Sequence, residues 1–233
     1  MKKSMLAVNA LLFLFIMTGC VFFIKYNHVL LKAASSIGFV LAGLINLIYS
    51  INKKDANTKY CCFLFAGLVS AMLGDIVLQF NFIGGAILFG IGHIYFYIAQ
   101  IFIRKIRITD FIFSVILLVL ASWYILFFPL MDIKEPAFKA VCLAYSVIIS
   151  LMSGKSLANA FSKKNAFTIF LCIGCMLFFF SDVCLVTAVF ADFWENAIKV
   201  CLLTYYPSEC ILALSLLFAK ASTGGKEGSR AIE

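Results

Sequence analysis

Residues 170–185 read FLCIGCMLFFFSDVCL, an apolar stretch with a single acidic side chain, Asp182. Residues 63–78 read FLFAGLVSAMLGDIVL and carry Asp75 at the matching position. A charged side chain near the centre of a bilayer costs at least about 2.5–3.5 kcal/mol, so such residues mark functional sites by default. The two stretches therefore predict membrane-spanning helices and two candidate functional carboxylates.

The spacing of the two aspartates indicates an internal repeat. The offset of 107 that places Asp75 on Asp182 also places Gly67 on Gly174. Spans three and four thus resemble spans seven and eight, and the even number of spans between them makes the repeats parallel. We expect two parallel four-helix repeats whose pseudo-twofold axis brings the aspartates together. Chance similarity between phenylalanine-rich helices is the alternative.

The composition supports a membrane protein. Hydrophobic residues make up 64% of the 233 and charged residues 13%, against roughly 45–50% and 25% in soluble domains. Segments of about 20 apolar residues can cross the hydrocarbon core. They lie at residues 5–23, 29–51, 60–80, 82–103, 111–128, 137–157, 166–190 and 196–219. We expect an all-α polytopic membrane protein with eight transmembrane helices, a single transmembrane domain over residues 1–221 and a flexible polar tail at 222–233.

The basic residues predict the orientation in the membrane. With the N-terminus inside, fourteen of the nineteen Lys and Arg residues fall on the inner side, as the positive-inside rule expects. The net charge of +8 therefore reports topology and indicates no nucleic-acid partner. We expect an integral protein of a bacterial cytoplasmic membrane, with both termini inside and the lipid bilayer around it.

The N-terminus has a second interpretation. A basic start, a hydrophobic run and the sequence MTGC at 17–20 resemble a lipoprotein signal ending in a lipidated Cys20. An uncleaved first helix is favoured, because its removal would leave seven spans. Most of the nine cysteines lie within spans, where cysteine behaves as a small apolar residue. The Cys172 and Cys175 pair is interpreted as packing for the same reason.

Further polar side chains lie at similar depth in neighbouring spans. His93, Tyr97 and Gln100 are spaced i, i+4 and i+7 and form one polar stripe, and Tyr205 and Glu209 are spaced i, i+4. At a rise of 1.5 Å per residue, four ionisable groups fall within one layer of the membrane about 10 Å thick. They are Asp75, His93, Asp182 and Glu209.

These motifs together resemble the YhhN-like lysoplasmalogenases. The shared patterns are Gly-Asp-x-x-Leu at 74–78, Gly-His-x-x-x-Tyr at 92–97, Phe-Phe-x-Ser-Asp-x-x-Leu at 178–185 and Tyr-Tyr at 205–206. Members of that family cleave the vinyl ether bond of lysoplasmalogens to a fatty aldehyde and glycerophosphoethanolamine or glycerophosphocholine. The resemblance implies this activity, a lysophospholipid substrate, and Asp75 and Asp182 as the catalytic pair. It implies no cofactor.

A set of residues is expected to line the substrate site around the two aspartates. The set is Lys32, His93, Tyr97, Tyr205, Tyr206 and Glu209. Lys32 lies at the outer mouth of span two, where family members also carry a lysine; it is interpreted either as a phosphate contact or as an interfacial anchor. Glu209 stands where related chains tend to have glutamine. We expect a cavity that opens to the outer face or the outer leaflet and whose inner half is lined by Phe and Leu from spans three, four and seven, which hold the lipid tail.

Two carboxylates suit this chemistry. Hydrolysis of a vinyl ether begins with protonation of its β-carbon, which gives an oxocarbenium ion that water traps as a hemiacetal. One group donates the proton, and a second, ionised group stabilises the cation and activates water, as in glycoside hydrolysis. The sequence does not assign the two roles.

Other functional classes fit the sequence less well. A tri-histidine zinc site is disfavoured because His28 and His93 are the only histidines and only His93 lies at depth. A mixed Asp, His and Glu metal site is the remaining metal alternative. A proton-coupled transporter could use the same carboxylates and the repeat, and a structural membrane protein with an inert polar core is a third interpretation.

Overall fold

The computed structural model describes residues 2–53, 56–191 and 193–219. Within them the chain folds into eight α-helices and no β-strand, and each helix is long and apolar enough to cross a membrane. The helices are α1 (Lys2–Tyr26), α2 (Val29–Ile51), α3 (Thr58–Leu78), α4 (Phe82–Ile101), α5 (Ile108–Phe127), α6 (Pro136–Lys163), α7 (Ala166–Phe190) and α8 (Ala197–Ser215). The predicted all-α polytopic fold is confirmed. The predicted polar tail at 222–233 lies outside the described residues.

Six of the helices form a closed ring in the order α2, α3, α4, α6, α7 and α8. Helix α1 packs against α2 and α8, and α5 packs against α6; these two helices are the least buried of the eight. The contacts repeat when each helix number is advanced by four, counting on from α8 to α1. The α2–α3 contact then becomes α6–α7, the α3–α4 contact becomes α7–α8, and the α2–α8 contact becomes α6–α4. The packing thus has the pattern that the sequence repeat predicts. We call the end of the bundle that holds the N-terminus the proximal end, and the opposite end the distal end.

Short polar residues set the starts of the helices that carry the candidate site. Asn57, Asn81 and Asn165 each accept a hydrogen bond from a backbone N–H in the first turn of α3, α4 and α7. Pro136 occupies the first turn of α6, where its missing N–H leaves no unpaired donor. These starts fix the depth at which the polar residues farther along each helix lie.

Glycine lets the paired helices of each repeat approach closely. A Cβ atom at Gly67 of α3 would lie 2.4 Å from the Phe96 ring of α4, and one at Gly174 of α7 would lie 2.7 Å from Ile211 of α8. The two glycines are the pair that the sequence repeat superposes. Small residues therefore bring these helices together, as in many membrane bundles.

Cys20, the candidate lipidated cysteine, is fully buried within a continuous α1.

A buried ion network joins the α4–α5 loop, α5 and α6 at the proximal end. The Asp110 carboxylate pairs with Arg104 and accepts a hydrogen bond from Lys155 Nζ at 2.6 Å, while Arg104 Nε donates to Asn159 at 2.9 Å. Lys155, which the sequence-based orientation counts among the inner-side charges, is fully buried inside α6, where Asp110 neutralises it. Helix α6 continues past the predicted end at residue 157 to Lys163.

The contact between α5 and α6 predicts a stability difference between two glycines. A Cβ at Gly154 of α6 would lie 2.5 Å from the backbone nitrogen of Ser114 in α5, whereas one at Gly90 would meet nothing nearer than 3.5 Å. We expect Gly154→Ala to lower the free energy of unfolding by about 1–3 kcal/mol. Gly90→Ala should leave it unchanged or raise it by up to about 1 kcal/mol, because alanine favours helix. Denaturant unfolding in detergent measures both; equal stabilities would contradict the close packing.

Candidate active site

A cavity of about 270 Å³ lies near the distal end of the bundle. Asp75 of α3 and Asp182 of α7 both line it, as the repeat predicts. Its other polar lining residues include Asn27, Lys32, Gln79, Ser181 and Tyr205, and its apolar walls include Phe23, Leu78, Phe82, Phe89, Leu185 and Leu202. The expected Phe and Leu walls from spans three, four and seven are present, and α1 and α8 contribute as well.

Asp75 is held through both carboxylate oxygens by side chains of α2. Lys32 Nζ lies 3.2 Å from Oδ1, and Ser36 Oγ donates to Oδ2 at 2.6 Å. The spacing of Lys32 and Ser36 places both on one face of α2. Lys32 is 4% exposed and Asp75 2%, so each charge depends on the other for compensation. The interpretation of Lys32 as an interfacial anchor is wrong, because its ammonium group lies inside the bundle.

Asp182 has a different set of partners, contributed by α6 and α4. The Tyr145 hydroxyl donates to Asp182 Oδ2 at 2.7 Å, and His93 Nε2 lies 2.6 Å from the same hydroxyl and 3.4 Å from Oδ2. The tyrosine hydroxyl has one proton, which it gives to Asp182, so its oxygen accepts a hydrogen bond from His93 Nε2–H. The three side chains form one chain of hydrogen bonds that ends at the carboxylate.

His93 is fixed by burial and by aromatic contacts. Its ring is fully buried and meets the Phe178 ring edge to face, with centroids 4.5 Å apart. Nδ1 is buried and makes no hydrogen bond to the described residues. Nε2 is therefore the ring nitrogen through which His93 contacts the Tyr145 hydroxyl.

The other predicted substrate contacts lie mostly behind the cavity wall. Tyr205 lines the cavity, and the Tyr206 hydroxyl donates to the backbone carbonyl of Lys32 at 3.4 Å. Glu209 is fully buried, and neither of its carboxylate oxygens has a hydrogen-bond partner among the described residues, although it lies in electrostatic range of both aspartates. Tyr97 is half-buried and is not among the residues that line the cavity.

Two small apolar cavities adjoin Asp182. One of about 30 Å³ lies between α3, α4, α6 and α7, and the other of about 40 Å³ lies between α5, α6 and α7. Cys142, Tyr145, Asp182 and Val186 line both. The first also shares Asp182 and several apolar residues with the main cavity. The three cavities form a row that passes Asp182 and leads toward α5.

Comparison with known families agrees with the motifs. The model of the YhhN family matches residues 27–216, a range that includes both aspartates, their partners and helices α2 to α8. The chain belongs to the YhhN family. Neither a curated protein nor a solved structure matches it.

Sequence reasoning missed two polar partners in this YhhN-family site. Ser36 had a weak signal, since it follows Lys32 by one helical turn. Tyr145 had none, because only the packing of α6 against α4 and α7 places its hydroxyl between His93 and Asp182. In the parts of the chain that the structure describes, no group of three His, Cys, Asp or Glu side chains is placed to hold a metal ion.

The buried ion pair between Lys32 and Asp75 predicts that substitutions of the two residues have coupled effects on stability. Lys32→Met leaves the Asp75 carboxylate buried without its cation and should lower the free energy of unfolding by about 3–5 kcal/mol. The double variant Lys32→Met/Asp75→Asn removes both charges and should recover most of that loss. Thermal unfolding of the purified proteins in detergent makes the comparison. If the double variant is no more stable than Lys32→Met, the two charges do not compensate each other.

Proposed function

We propose that this YhhN-family protein is a lysoplasmalogenase, which hydrolyses the vinyl ether bond of lysoplasmalogens to a fatty aldehyde and glycerophosphoethanolamine or glycerophosphocholine. The observation that carries the proposal is that both motif aspartates line one cavity with apolar walls. Asp75 and Asp182 act in it as an acid and base pair.

The arrangement of polar groups suits protonation of an electron-rich double bond. The β-carbon of a vinyl ether accepts a proton, and positive charge then develops on the α-carbon and the ether oxygen. A carboxylic acid supplies the proton, and a carboxylate across the cavity stabilises the cation and takes a proton from the attacking water. The apolar walls leave these charges little solvent screening.

The position of the cavity suits a lysolipid. Such a lipid has one tail and a polar head group, so its vinyl ether lies just below the membrane surface. The aspartates lie in the distal part of α3 and α7, which matches that depth. Lys32 lines the cavity, and its ammonium has donors beyond the one directed at Asp75, so it serves as the phosphate contact. Tyr205 forms a polar wall nearby.

His93, Tyr206 and Glu209 support the site from behind that wall. Tyr206 holds the α2 backbone at Lys32, and His93 holds Tyr145.

The charge distribution supports an orientation with both termini inside, as proposed for a bacterial cytoplasmic membrane. The excess of basic residues on the proximal side persists when the buried Lys32, Arg104 and Lys155 are set aside.

The pair of aspartates is tested by substitution. Asp75→Asn and Asp182→Asn should each lower the rate of aldehyde release from a lysoplasmalogen in detergent by about 100-fold or more, because each removes one proton-transfer group. Asp132→Asn, at a highly exposed loop carboxylate, should have no effect. Size-exclusion chromatography checks that all three fold. Absence of aldehyde from the unaltered protein, together with proton-driven uptake of a solute into liposomes, would instead support the transporter.

The apolar cavities beyond Asp182 predict a preference for chain length. The alkenyl tail extends from the main cavity into this row, so Val186→Trp, which fills two of the cavities, should lower kcat/KM for long chains about tenfold more than for short chains, as expected for several lost apolar contacts. Ile173→Trp, at a lipid-exposed position of the same helix, is the control. An equal loss for all chain lengths would place the tail elsewhere.

A further inference from the structure

The two aspartates have equivalent positions in the repeat but different partners. Helices α2 and α6 are equivalent, and each packs beside the aspartate of its own repeat. From α2, Asp75 receives an ammonium group and a hydroxyl. From α6, Asp182 receives only the hydroxyl of Tyr145, which His93 supports. The pseudo-twofold frame thus presents one carboxyl paired with a lysine and one carboxyl whose partners are the Tyr145 hydroxyl and, at 3.4 Å, His93 Nε2.

We propose, on the basis of the lysoplasmalogenase function above, that Asp182 is the proton donor and Asp75 is the carboxylate that stabilises the cation and receives the proton from water. Tyr145 and Lys32 are the positioning residues that fix this division. Tyr145 holds one oxygen of Asp182, and Lys32 holds Asp75 in its charged form.

Asp75 is arranged to begin the reaction as a carboxylate and not as the acid that protonates the double bond. Lys32 Nζ faces Oδ1 at 3.2 Å, and the Ser36 hydroxyl donates to Oδ2 at 2.6 Å. Both oxygens are therefore acceptors, and a cation in direct contact favours the ionised carboxyl. The Asp75 side chain is 3% exposed, so water screens this attraction little. The fixed negative charge is suited to an adjacent oxocarbenium ion.

Asp182 is arranged to carry a proton on its free oxygen. Oδ2 accepts the Tyr145 hydroxyl, whereas Oδ1 makes no hydrogen bond within the described parts of the chain. The side chain is 14% exposed, and Asp182 lines the cavity. No Lys or Arg among the described residues forms an ion pair with it. A carboxyl without a cation favours its neutral form in an apolar site, and the proton then lies on Oδ1.

The assignment gives a balanced reaction cycle. The Asp182 O–H bond breaks as the π electrons of the alkene form a C–H bond at the β-carbon, and the ether oxygen shares the resulting positive charge. Water adds to the α-carbon and loses a proton to Asp75, which gives the hemiacetal. Asp182 then takes the hemiacetal hydroxyl proton while Asp75 returns its proton to the departing glycerol oxygen. The aldehyde leaves, and both carboxyls regain their starting states.

Other titratable groups surround both carboxyls and must be considered in a pH profile. Those facing Asp75 are Lys32 of α2, Cys20 of α1, and Cys201, Tyr205, Tyr206 and Glu209 of α8. Those facing Asp182 are His93 of α4, Tyr145 of α6, Cys184 of α7, and Cys201 and Glu209 of α8. All of them remain unchanged in the two single aspartate variants compared below, so a difference between those variants reports the aspartates.

The pH profile of residual activity distinguishes the two roles. Without its internal acid, Asp182→Asn depends on hydronium, so its residual rate should rise about tenfold for each unit by which the pH falls, with no plateau. Asp75→Asn keeps the acid, so its lower rate should level off at low pH. The rate without protein is subtracted throughout. If Asp75→Asn is unstable because Lys32 has lost its partner, the double variant Lys32→Met/Asp75→Asn takes its place. The opposite pair of profiles would overturn the assignment and leave the proposed function intact.

Tyr145→Phe tests the positioning role. Loss of the hydroxyl should lower kcat about tenfold, the effect of one hydrogen bond to a charged group, with KM unchanged. Tyr60→Phe is the matched control, because the Tyr60 hydroxyl also forms a side-chain hydrogen bond, at 2.7 Å from Ser215 Oγ, and Tyr60 is not among the residues that line the cavity; the kcat of this variant should not change. Equal kcat for Tyr145→Phe and the unaltered protein, or equal losses in both variants, would remove Tyr145 from the mechanism. The proposed function itself is refuted only if the unaltered protein releases no aldehyde.

Discussion

A charged side chain persists inside an apolar helix bundle only where another group compensates it, and this constraint acts at both ends of the protein. At the distal end Lys32 neutralises Asp75 and joins α2 to α3. At the proximal end Asp110 pairs with Arg104 and Lys155 and joins the α4–α5 loop, α5 and α6. Breaking either set leaves an uncompensated buried charge. The ion pairs therefore favour the contacts α2–α3 and α5–α6, and one of them contributes half of the candidate site.

The pseudo-twofold frame explains how two aspartates reach one cavity, and its side chains explain why they need not act alike. Gly67 and Gly174 bring equivalent helix pairs together, so Asp75 and Asp182 arrive at similar depth. The neighbouring helices α2 and α6 then differ: Lys32 faces one carboxyl and Tyr145 the other. Common geometry with different partners allows one group to stay charged while the other holds a proton.

Much of this could be predicted from the sequence, because its strongest signals are local. Eight apolar segments predict eight spans, and carboxylates within them stand out by their cost. The partners could not be predicted, since they depend on packing between distant helices. Nothing in the sequence distinguishes Tyr145, because only the packing of α6 against α4 and α7 brings its hydroxyl to Asp182. Lys155 likewise has no recognisable partner in the sequence, because Asp110 lies on a different helix. The spacing of His93, Tyr97 and Gln100 predicts one polar stripe on α4, but only His93 contacts the site residues. Gln100 donates to the Met152 carbonyl near the proximal end, far from the cavity.

The most direct test of the central claim is hydrolysis of a lysoplasmalogen by the purified protein in D₂O, with the aldehyde reduced at once and analysed by mass spectrometry. Proton transfer from a carboxyl to the β-carbon predicts one deuterium on the carbon next to the aldehyde group, and the saturated alkyl analogue should not be cleaved. Aldehyde without deuterium at that carbon, or cleavage of the saturated ether at a similar rate, would contradict protonation of the double bond by the paired aspartates.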